Sequence, residues 1–417
     1  MKKIYTGGYV VEPKTGIEGY YDIVVEGEWI TDIMPSGTLS EVNKGVHIDL
    51  SELTVVPGFV DLHVHLREPG QTYKETMKTG SYACAKGGFT TVACMPNTMP
   101  VIDSVETLER LKQIIKKDAC IDVLPITAIT HAIEGNIATD HKRLLDNGAM
   151  ALSDDGKTPM NPEIMRVAFK NSYEKDALII SHCEDHTITS TYTDEIYPLE
   201  AETDIVIRDI ELCDSENGRL HIAHVSGRES LQAIKLAKEK GVRVTCEVTP
   251  HHMALNDIIV DVKHPMAKVN PPIRSEDHRR AIIQGIKEGV ADIIATDHAP
   301  HDFESKNKSY QEAAYGISGA ETAFSVAYET LVVKEKLPLI HLIEMMTSKP
   351  AEIARLRKIG SLQKGYYANF AVIDLEASYK INPDTFVSKG KNTPFTGMDV
   401  HGIVVQTLYR GSTVYER

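Results

Sequence analysis

The sequence predicts an α/β protein in which a (β/α)8 TIM barrel carries a small β domain formed by the N- and C-terminal segments. Eight short segments rich in β-branched residues recur along the middle of the chain, and most lead into a segment with helical periodicity. Both ends of the chain instead carry alternating strand patterns. Eight strand-helix units over about 300 residues are typical of a closed parallel barrel.

The eight predicted barrel strands are each followed by polar residues or by an amphipathic stretch. The strands end in residues 60–65, 91–96, 123–128, 149–155, 178–182, 220–224, 244–251 and 292–298. The clearest amphipathic stretches are residues 105–117, 162–174, 229–240 and 278–288. Their apolar residues lie three and four positions apart with charges between them, as expected of helices that cover a barrel.

The two flanks predict the second domain. Residues 1–53 and 358–417 contain alternating patterns with glycine-containing turns, for example in residues 21–30 and 404–411. Neither flank alone can bury a sheet face well, so we expect the two ends to meet in one composite β domain. Residues 54–357 then form the catalytic barrel.

Composition and charge narrow the classes of function. Apolar residues make up 42% and charged residues 25% of the chain, close to the values of globular proteins, which excludes a disordered or fibrous protein. The net charge is −14 and no basic stripe occurs, so a nucleic-acid partner is not expected. No apolar run reaches the roughly 18 residues of a membrane span. A small-molecule partner is favoured.

The cysteines and the first residues indicate the compartment. The six cysteines are scattered and no two have the Cys-x-x-Cys spacing, which is typical of reduced thiols. The residues after Met-Lys-Lys lack the apolar core of a signal peptide. We therefore predict a cytoplasmic protein.

Residues able to do chemistry follow seven of the eight predicted strands, all but the third. They are His63, His65, Asn97, Asp155, His182, His224, His251 and Asp297. Because the carboxyl ends of barrel strands meet at one mouth, we expect these side chains to converge there. His63 and His65 lie two positions apart on a strand, so both rings face the same side and can bind one metal ion.

The predicted ligand set is too large for one tetrahedral ion. It comprises four histidines and two aspartates: His63, His65, Asp155, His182, His224 and Asp297. Imidazole and carboxylate without thiolate suit Zn²⁺, with Mn²⁺, Co²⁺ and Fe²⁺ as competitors. We predict two zinc ions per chain that share a bridging carboxylate and a bridging water, an arrangement that favours hydrolysis. One ion is served by His63 and His65, the other by His182 and His224.

The same residues supply a candidate for proton transfer. Asp297 follows the last strand and is the best-placed group to take a proton from the bridging water and return it to a leaving nitrogen. Its alternative role is that of a metal ligand only.

Other polar residues near the mouth are candidates for substrate binding. The planar fork of Arg67 suits a carboxylate, which implies an anionic substrate. Asn97, Asn270 and His301 are neutral groups near the same rim, with hydrogen bonds inside their own loops as the alternative role. Three histidines stand apart from the ligand set. The roles of His251 and His252 stay undecided, because both end a strand but the ligand set is already complete. Strand alternation points His221 away from the pocket.

The motifs together resemble those of the dihydroorotases in the amidohydrolase superfamily. They occupy residues 61–70, 95–98, 153–156, 182–185, 223–226, 269–272 and 295–301, in matching order and spacing. The resemblance implies reversible interconversion of L-dihydroorotate and N-carbamoyl-L-aspartate on a zinc centre, a step of pyrimidine synthesis. It also implies that Arg67, Asn97, Asn270 and His301 bind substrate, and that the backbone at Tyr315 and Gly316 faces the ring.

One feature indicates a branch of this superfamily, and another departs from that branch. Many relatives bridge their metals with a carboxylated lysine after the fourth strand, whereas residues 149–156 contain none and Lys157 lies past the turn. The resemblance therefore implies that Asp155 bridges the metals, as in one bacterial branch of dihydroorotases. The segment between His186 and Leu220 is shorter than is usual in that branch, by roughly one or two helical turns.

Three interpretations of function remain open at this point. They are a dihydroorotase, a related cyclic amidase such as an allantoinase or hydantoinase, and a catalytically silent scaffold subunit of a pyrimidine-synthesis complex. The complete ligand set argues against the scaffold, and Arg67 together with Asp155 favours the dihydroorotase. The resemblance also suggests a homo-oligomer, a dimer, and leaves open an association with aspartate transcarbamoylase.

Overall fold

The computed structural model describes residues 2–38, 45–192 and 196–417. The strands are β1 (Lys2–Glu12), β2 (Ile17–Glu26), β3 (Trp29–Pro35), β4 (Val46–Asp49), β5 (Thr54–Pro57), β6 (Phe59–Val64), β7 (Phe89–Cys94), β8 (Asp122–Thr127), β9 (Ala151–Leu152), β10 (Leu178–Ser181), β11 (Leu220–Ile222), β12 (Val244–Val248), β13 (Ile293–Ile294), β14 (Phe370–Lys380), β15 (Asp399–Tyr409) and β16 (Ser412–Glu416). The α-helices are α1 (Met77–Lys86), α2 (Val105–Asp118), α3 (His141–Asp146), α4 (Pro162–Tyr173), α5 (His186–Thr189), α6 (Glu200–Ser215), α7 (Arg228–Glu239), α8 (Pro250–Ala254), α9 (Glu276–Lys287), α10 (Phe303–Lys306), α11 (Ala323–Ala327), α12 (Leu339–Met346) and α13 (Ser348–Ile353).

Strands β6 to β13 form an eight-stranded parallel sheet in chain order, and this sheet curls into a nearly closed barrel. The two ends of the sheet approach each other where Val64 pairs with His298 and where the His65 amide donates to the His298 carbonyl over 2.8 Å. Inward-facing Val60, Leu62 and Ile180 fill the interior, as the packed core of such a barrel requires. The predicted fold class is confirmed.

The covering helices follow the predicted amphipathic stretches closely. Helix α2 begins after Ser104, whose hydroxyl accepts a hydrogen bond from the Thr107 amide. Its apolar stripe buries Leu108 and Leu111 against the barrel core. Helices α4, α7 and α9 likewise begin and end within two residues of the predicted stretches.

The terminal segments form the second sheet, as the sequence predicts. Its strand order is β16-β15-β14-β5-β1-β2-β3, with β4 paired to β1. Strand β5 pairs with β1 on one side and with β14 on the other, so it joins the two ends of the chain. The core of this sheet includes Tyr5 and Phe370, whose rings meet edge to face with centroids 5.0 Å apart.

The division into domains stays a prediction, and two local features bear on it. The first strand after the predicted boundary, Thr54–Pro57, lies in the terminal sheet because both of its edges are paired there. The barrel strands begin at Phe59.

The segment between His186 and Leu220, which the sequence predicts to be short, is only partly described, because residues 193–195 lie outside the described residues.

The structure also bears on membrane-spanning helices and on the state of the cysteines. No helix within the described ranges is long and apolar enough to cross a membrane. The six cysteines are all free thiols, and all but Cys120 are buried.

Candidate active site

The carboxyl ends of the barrel strands surround a cavity of about 150 Å³. Its lining contains most of the predicted site residues: His65, Arg67, Asn97, Asp155, His182, His224, Asn270, Asp297, His301, Tyr315 and Gly316. His63 is fully buried and lies 3.2 Å from Asp155 (Nε2 to Oδ1). The barrel therefore brings these residues together, although they come from seven different strand ends, whereas His251, which was also expected at the mouth, does not line the cavity.

Asp155 stands between two pairs of histidines. Its two carboxylate oxygens lie 3.2 Å from His63 Nε2 and 3.4 Å from His65 Nε2. On the other side, His182 Nδ1 and His224 Nε2 lie 3.8 and 3.7 Å from Oδ1. Each pair forms with Asp155 a buried group whose ligand atoms lie within 4.8 Å of one another. Asp155 is thus the carboxylate common to both groups.

The donor atoms of these groups fit metal ions. His63 Nε2 and Asp155 Oδ1 are buried, and neither has a hydrogen-bond partner in the described part of the chain. Nitrogen ligands about 2.1 Å from a tetrahedral zinc lie roughly 3.4 Å apart, close to the spacings between Asp155 and the four histidines. A divalent ion in each group would satisfy atoms that otherwise carry an uncompensated desolvation cost.

Asp297 completes the set beside the first pair of histidines. Its Oδ1 atom lies 3.1 Å from His65 Nε2 and 3.5 Å from His63 Nε2. Burial alone would raise the pKa of Asp297, but the charges of His63 and His65 and the hydrogen bond from His65 lower the pKa below its usual range. Asp297 and His224 both have positive φ angles, 46° and 31°, a costly conformation that recurs at functional sites.

A buried carboxylate that sequence reasoning missed lies behind the histidines. Glu247 on β12 accepts a hydrogen bond from His63 Nδ1 over 2.6 Å and one from the His224 amide over 3.1 Å. Its second oxygen lies 3.0 Å from His221 Nε2, so His221 faces Glu247 and does not line the cavity. Burial would raise the pKa of Glu247, but the two histidines lower it to about 2.

The position of Glu247 fixes how His63 is presented. Because Nδ1 of His63 donates to the carboxylate, Nε2 is left as the free ligand atom that points at Asp155. The available sequence signal was a single acidic residue inside the buried strand Val244–Val248. A charge in such a strand needs a partner, but the pattern does not say which one.

Glu184 orients the ring of His182 in the same way. Its Oε2 atom accepts from His182 Nε2 over 2.9 Å and from the Asn270 side-chain amide over 2.8 Å. The Nδ1 atom of His182 is thereby the one that faces Asp155 and His224. Burial would raise the pKa of Glu184, but hydrogen bonds from His182 and His186 hold it below its usual range.

Arg67 and His301 form a polar edge of the cavity. Arg67 is only 7% exposed, and its Nε donates to the Pro300 carbonyl over 3.2 Å. Burial lowers the pKa of Arg67 to about 10, which leaves the guanidinium charged at neutral pH. His301 Nε2 lies 2.8 Å from the Tyr315 carbonyl, which only accepts, and 3.2 Å from Arg67 Nη2, which only donates, so the two contacts require opposite protonation of this nitrogen. The shorter contact, to the carbonyl, places the proton on Nε2.

The other ring nitrogen of His301 is left without a partner in the described part of the chain. Nδ1 of His301 is buried and has no hydrogen-bond partner within the described residues. Burial, together with the charge of Arg67, lowers the pKa of His301 to about 2, so the ring is neutral. A neutral acceptor therefore lies next to a fixed cation.

The two asparagines contact the ligand shell directly. Asn97 accepts from His65 Nδ1 over 2.9 Å, and Asn270 donates to Glu184. Gly316 has a φ of 126°, and a Cβ there would lie 2.8 Å from the Ala299 carbonyl oxygen, so this position requires glycine. The substrate-binding roles of these residues, and of the half-exposed Tyr315, stay predictions.

The two histidines that the sequence left open do not line the cavity. His252 lies 3.0 Å from the Pro271 carbonyl and 2.8 Å from the Thr249 hydroxyl, which accounts for both ring nitrogens. Burial lowers the pKa of His251 to about 4, so this ring is neutral.

Comparison with known proteins agrees with this geometry. The model of the amidohydrolase family matches residues 54–414. Two curated relatives named dihydroorotase, from Bacillus subtilis (strain 168) and Syntrophus aciditrophicus (strain SB), are 40% and 39% identical to the chain. Each alignment covers 100% of this chain and 99% or 100% of the relative.

Solved structures show the same fold at lower identity. The L-hydantoinase of Arthrobacter aurescens superposes with a TM-score of 0.91 at 24% identity, over 99% of this chain and 96% of that one. The dihydropyrimidinase of Brevibacillus agri NCHU1002 gives a TM-score of 0.88 at 22% identity, over 100% and 95%. Since the family model spans the barrel and the second half of the terminal sheet, and full-length relatives share about two residues in five, the chain belongs to the amidohydrolase family and to the dihydroorotases within it.

Proposed function

We propose that this protein is a dihydroorotase, which reversibly hydrolyses L-dihydroorotate to N-carbamoyl-L-aspartate in pyrimidine synthesis. The observation that carries the proposal is the buried guanidinium of Arg67 at the edge of a cavity in which Asp155 joins two histidine pairs. Dihydroorotate carries a ring carboxylate that this cation can bind. The rings of hydantoin and allantoin carry none, which disfavours the cyclic-amidase alternative.

The metal centre is proposed to hold two zinc ions. His63 and His65 with Asp155 would hold one, and His182 and His224 with Asp155 the other; Asp297 is a further ligand beside the first pair. When bound, such ions lower the pKa of a bridging water and polarise the amide carbonyl. The donor set contains no thiolate, which suits zinc and its first-row competitors.

The residues of the chain would then orient the substrate and move one proton. Arg67 holds the ring carboxylate, and Nδ1 of His301 can accept a ring N–H group. Asp297, kept ionised by its histidine neighbours, accepts a proton from the attacking water. The amide C–N bond breaks, and Asp297 returns this proton to the leaving nitrogen.

Metal analysis and substrate comparison test the proposal. We expect close to two divalent ions per purified chain, loss of activity with chelator, and turnover of dihydroorotate in preference to hydantoin and allantoin. Asp155→Ala should remove the shared ligand and most of the activity, whereas Asp277→Ala, on the exposed surface of α9, should change neither. Trace metal with full activity would contradict the two-metal centre. Turnover of hydantoin or allantoin alone would replace the substrate assignment.

The compartment and the partners are also proposals. Six free cysteines support a reducing compartment, the cytoplasm. A dimer, and an association with aspartate transcarbamoylase, follow from the family resemblance alone. Light scattering of the purified protein, with and without that enzyme, measures both.

A further inference from the structure

Two loops that carry predicted substrate contacts meet on one side of the cavity. The loop after β12 carries Asn270, and the loop after β13 carries Tyr315 and Gly316. Their backbones touch where the Gly316 amide donates to the Lys268 carbonyl over 3.0 Å. The relative placement of the two loops therefore decides the shape of this side of the cavity.

A buried lysine joins the two loops. Lys306, at the end of α10, is 1% exposed, and its ammonium donates to three backbone carbonyls. One belongs to Lys268 in the first loop, at 3.2 Å, and the other two to Ala314 and Gly316 in the second, at 2.9 and 3.0 Å. An ammonium has three N–H groups, so these carbonyls use its full donor capacity.

A second lysine makes the reciprocal connection. Lys268, also buried, extends from the first loop and donates from Nζ to the Gln311 carbonyl of the second over 2.9 Å. Its ammonium also lies 4.3 Å from the centroid of the Tyr315 ring, within range of a cation-π contact. The loops are thus held by two lysines that reach in opposite directions.

The cost of burying Lys306 argues that it does more than fill space. Burial and the nearby charge of Lys268 lower the pKa of Lys306 to about 7. A methionine would occupy similar volume without that desolvation cost. A buried amino group at such a position is expected where its directed hydrogen bonds to the three carbonyls are needed.

We propose that Lys306 is a positioning residue for the substrate, because it fixes Asn270 and the Tyr315–Gly316 backbone relative to each other. Lys306 does not line the cavity and acts through these loops. The inference rests on the proposed function of the site, and it extends that function by naming what holds the substrate-facing loops in place.

The variant Lys306→Met isolates this role. In this variant two of the three carbonyls still accept a hydrogen bond from another donor. The Lys268 carbonyl accepts from the Gly316 amide, and the Gly316 carbonyl accepts from the Asn392 side chain over 2.9 Å. We therefore expect a folded protein. The matched control is Lys308→Met, which makes the same change in charge two residues away at an exposed position of the same loop.

Steady-state kinetics of the metal-loaded enzymes with dihydroorotate provide the first measurement. We expect Lys306→Met to raise KM at least tenfold, with kcat within threefold and metal content equal to wild type, and Lys308→Met to match wild type throughout. Wild-type KM overturns the proposal. A parallel fall of kcat and metal content also overturns it, because Lys306 would then support the metal centre as a whole. If Lys306→Met does not fold, Lys306→Gln, which keeps two N–H donors, is measured against the same criteria.

Hydrogen exchange without substrate separates this inference from the proposed function. We expect faster exchange in Lys306→Met for peptides covering residues 265–272 and 312–318, and no change in Lys308→Met. Unchanged exchange overturns the inference even if the enzyme hydrolyses dihydroorotate, and faster exchange with wild-type KM reduces Lys306 to a structural role. A wild-type enzyme without dihydroorotate turnover contradicts the proposed function, and the exchange result still decides whether Lys306 joins the loops.

Discussion

Replacement of Arg67 by methionine tests recognition of the substrate carboxylate. Arg67 is almost fully buried, and the Pro300 carbonyl occupies its Nε–H group. We therefore expect a carboxylate to bind at the edge formed by the two terminal nitrogens, of which Nη2 also lies 3.2 Å from His301 Nε2. Methionine retains most of the apolar stem and removes both the charge and this edge.

The size of the effect follows from the environment of the side chain. Two unit charges about 4 Å apart attract by roughly 4 kcal/mol at an effective dielectric constant near 20. Breaking such a pair from one side in a desolvated site costs about 2–5 kcal/mol. This range corresponds to a loss of about 30- to 5,000-fold in kcat/KM. Arg67→Lys keeps the charge but not the fork, so we expect it to recover only part of the loss.

The assay compares dihydroorotate with dihydrouracil, the same ring without the carboxylate. We expect the loss of kcat/KM in Arg67→Met to be confined to dihydroorotate, with metal content unchanged. Arg279→Met serves as the matched control, because Arg279 is also buried but pairs with Glu276 on α9, away from the cavity. Equal losses on both substrates would refute carboxylate recognition and assign Arg67 a structural role.

Three further predictions concern the proton, the metal and the substrate. Asp297→Asn should lower kcat at least about 100-fold with a smaller change in KM, because an amide cannot accept the proton; near-normal turnover would place proton transfer elsewhere. Glu247→Gln should weaken metal binding about 10- to 100-fold in chelator competition, since a neutral amide holds His63 less firmly, and the exposed Glu229→Gln is its control. Wild-type metal affinity in Glu247→Gln would show that His63 needs no such support. Carbamoyl aspartate has one more carboxylate than dihydroorotate, so the equilibrium should move about tenfold per pH unit toward the open form as pH rises above the carboxyl pKa values near 4. A ratio that is independent of pH between about 6 and 8 would exclude this substrate pair.

The sequence was informative wherever a structural feature has a short repeat. Strand segments and covering helices have periods of two and 3.6 residues, so the barrel and the bounds of α2, α4, α7 and α9 could be predicted. The convergence of the histidines and aspartates also followed from the sequence, because all barrel strands point the same way and their carboxyl ends share one mouth.

Contacts between distant residues could not be predicted in this way. Asn97 was predicted as a substrate contact, but the structure shows that it also orients His65. Strand β5 follows the predicted start of the barrel, yet its pairing partners β1 and β14 come from opposite ends of the chain. In both cases the contacting residue or strand is distant in sequence and is brought near only by the tertiary fold.

The sequence by itself determined the fold class, the family resemblance and the set of residues at the barrel mouth. Only the tertiary structure decided which ring nitrogen His63 presents, because Glu247 lies 184 residues from His63 and comes next to it only where the two ends of the barrel sheet approach each other. The same holds for Lys306, whose three acceptors lie in two loops. A buried charge must find a partner, and the partner is fixed by three-dimensional packing, which no local pattern of residues encodes.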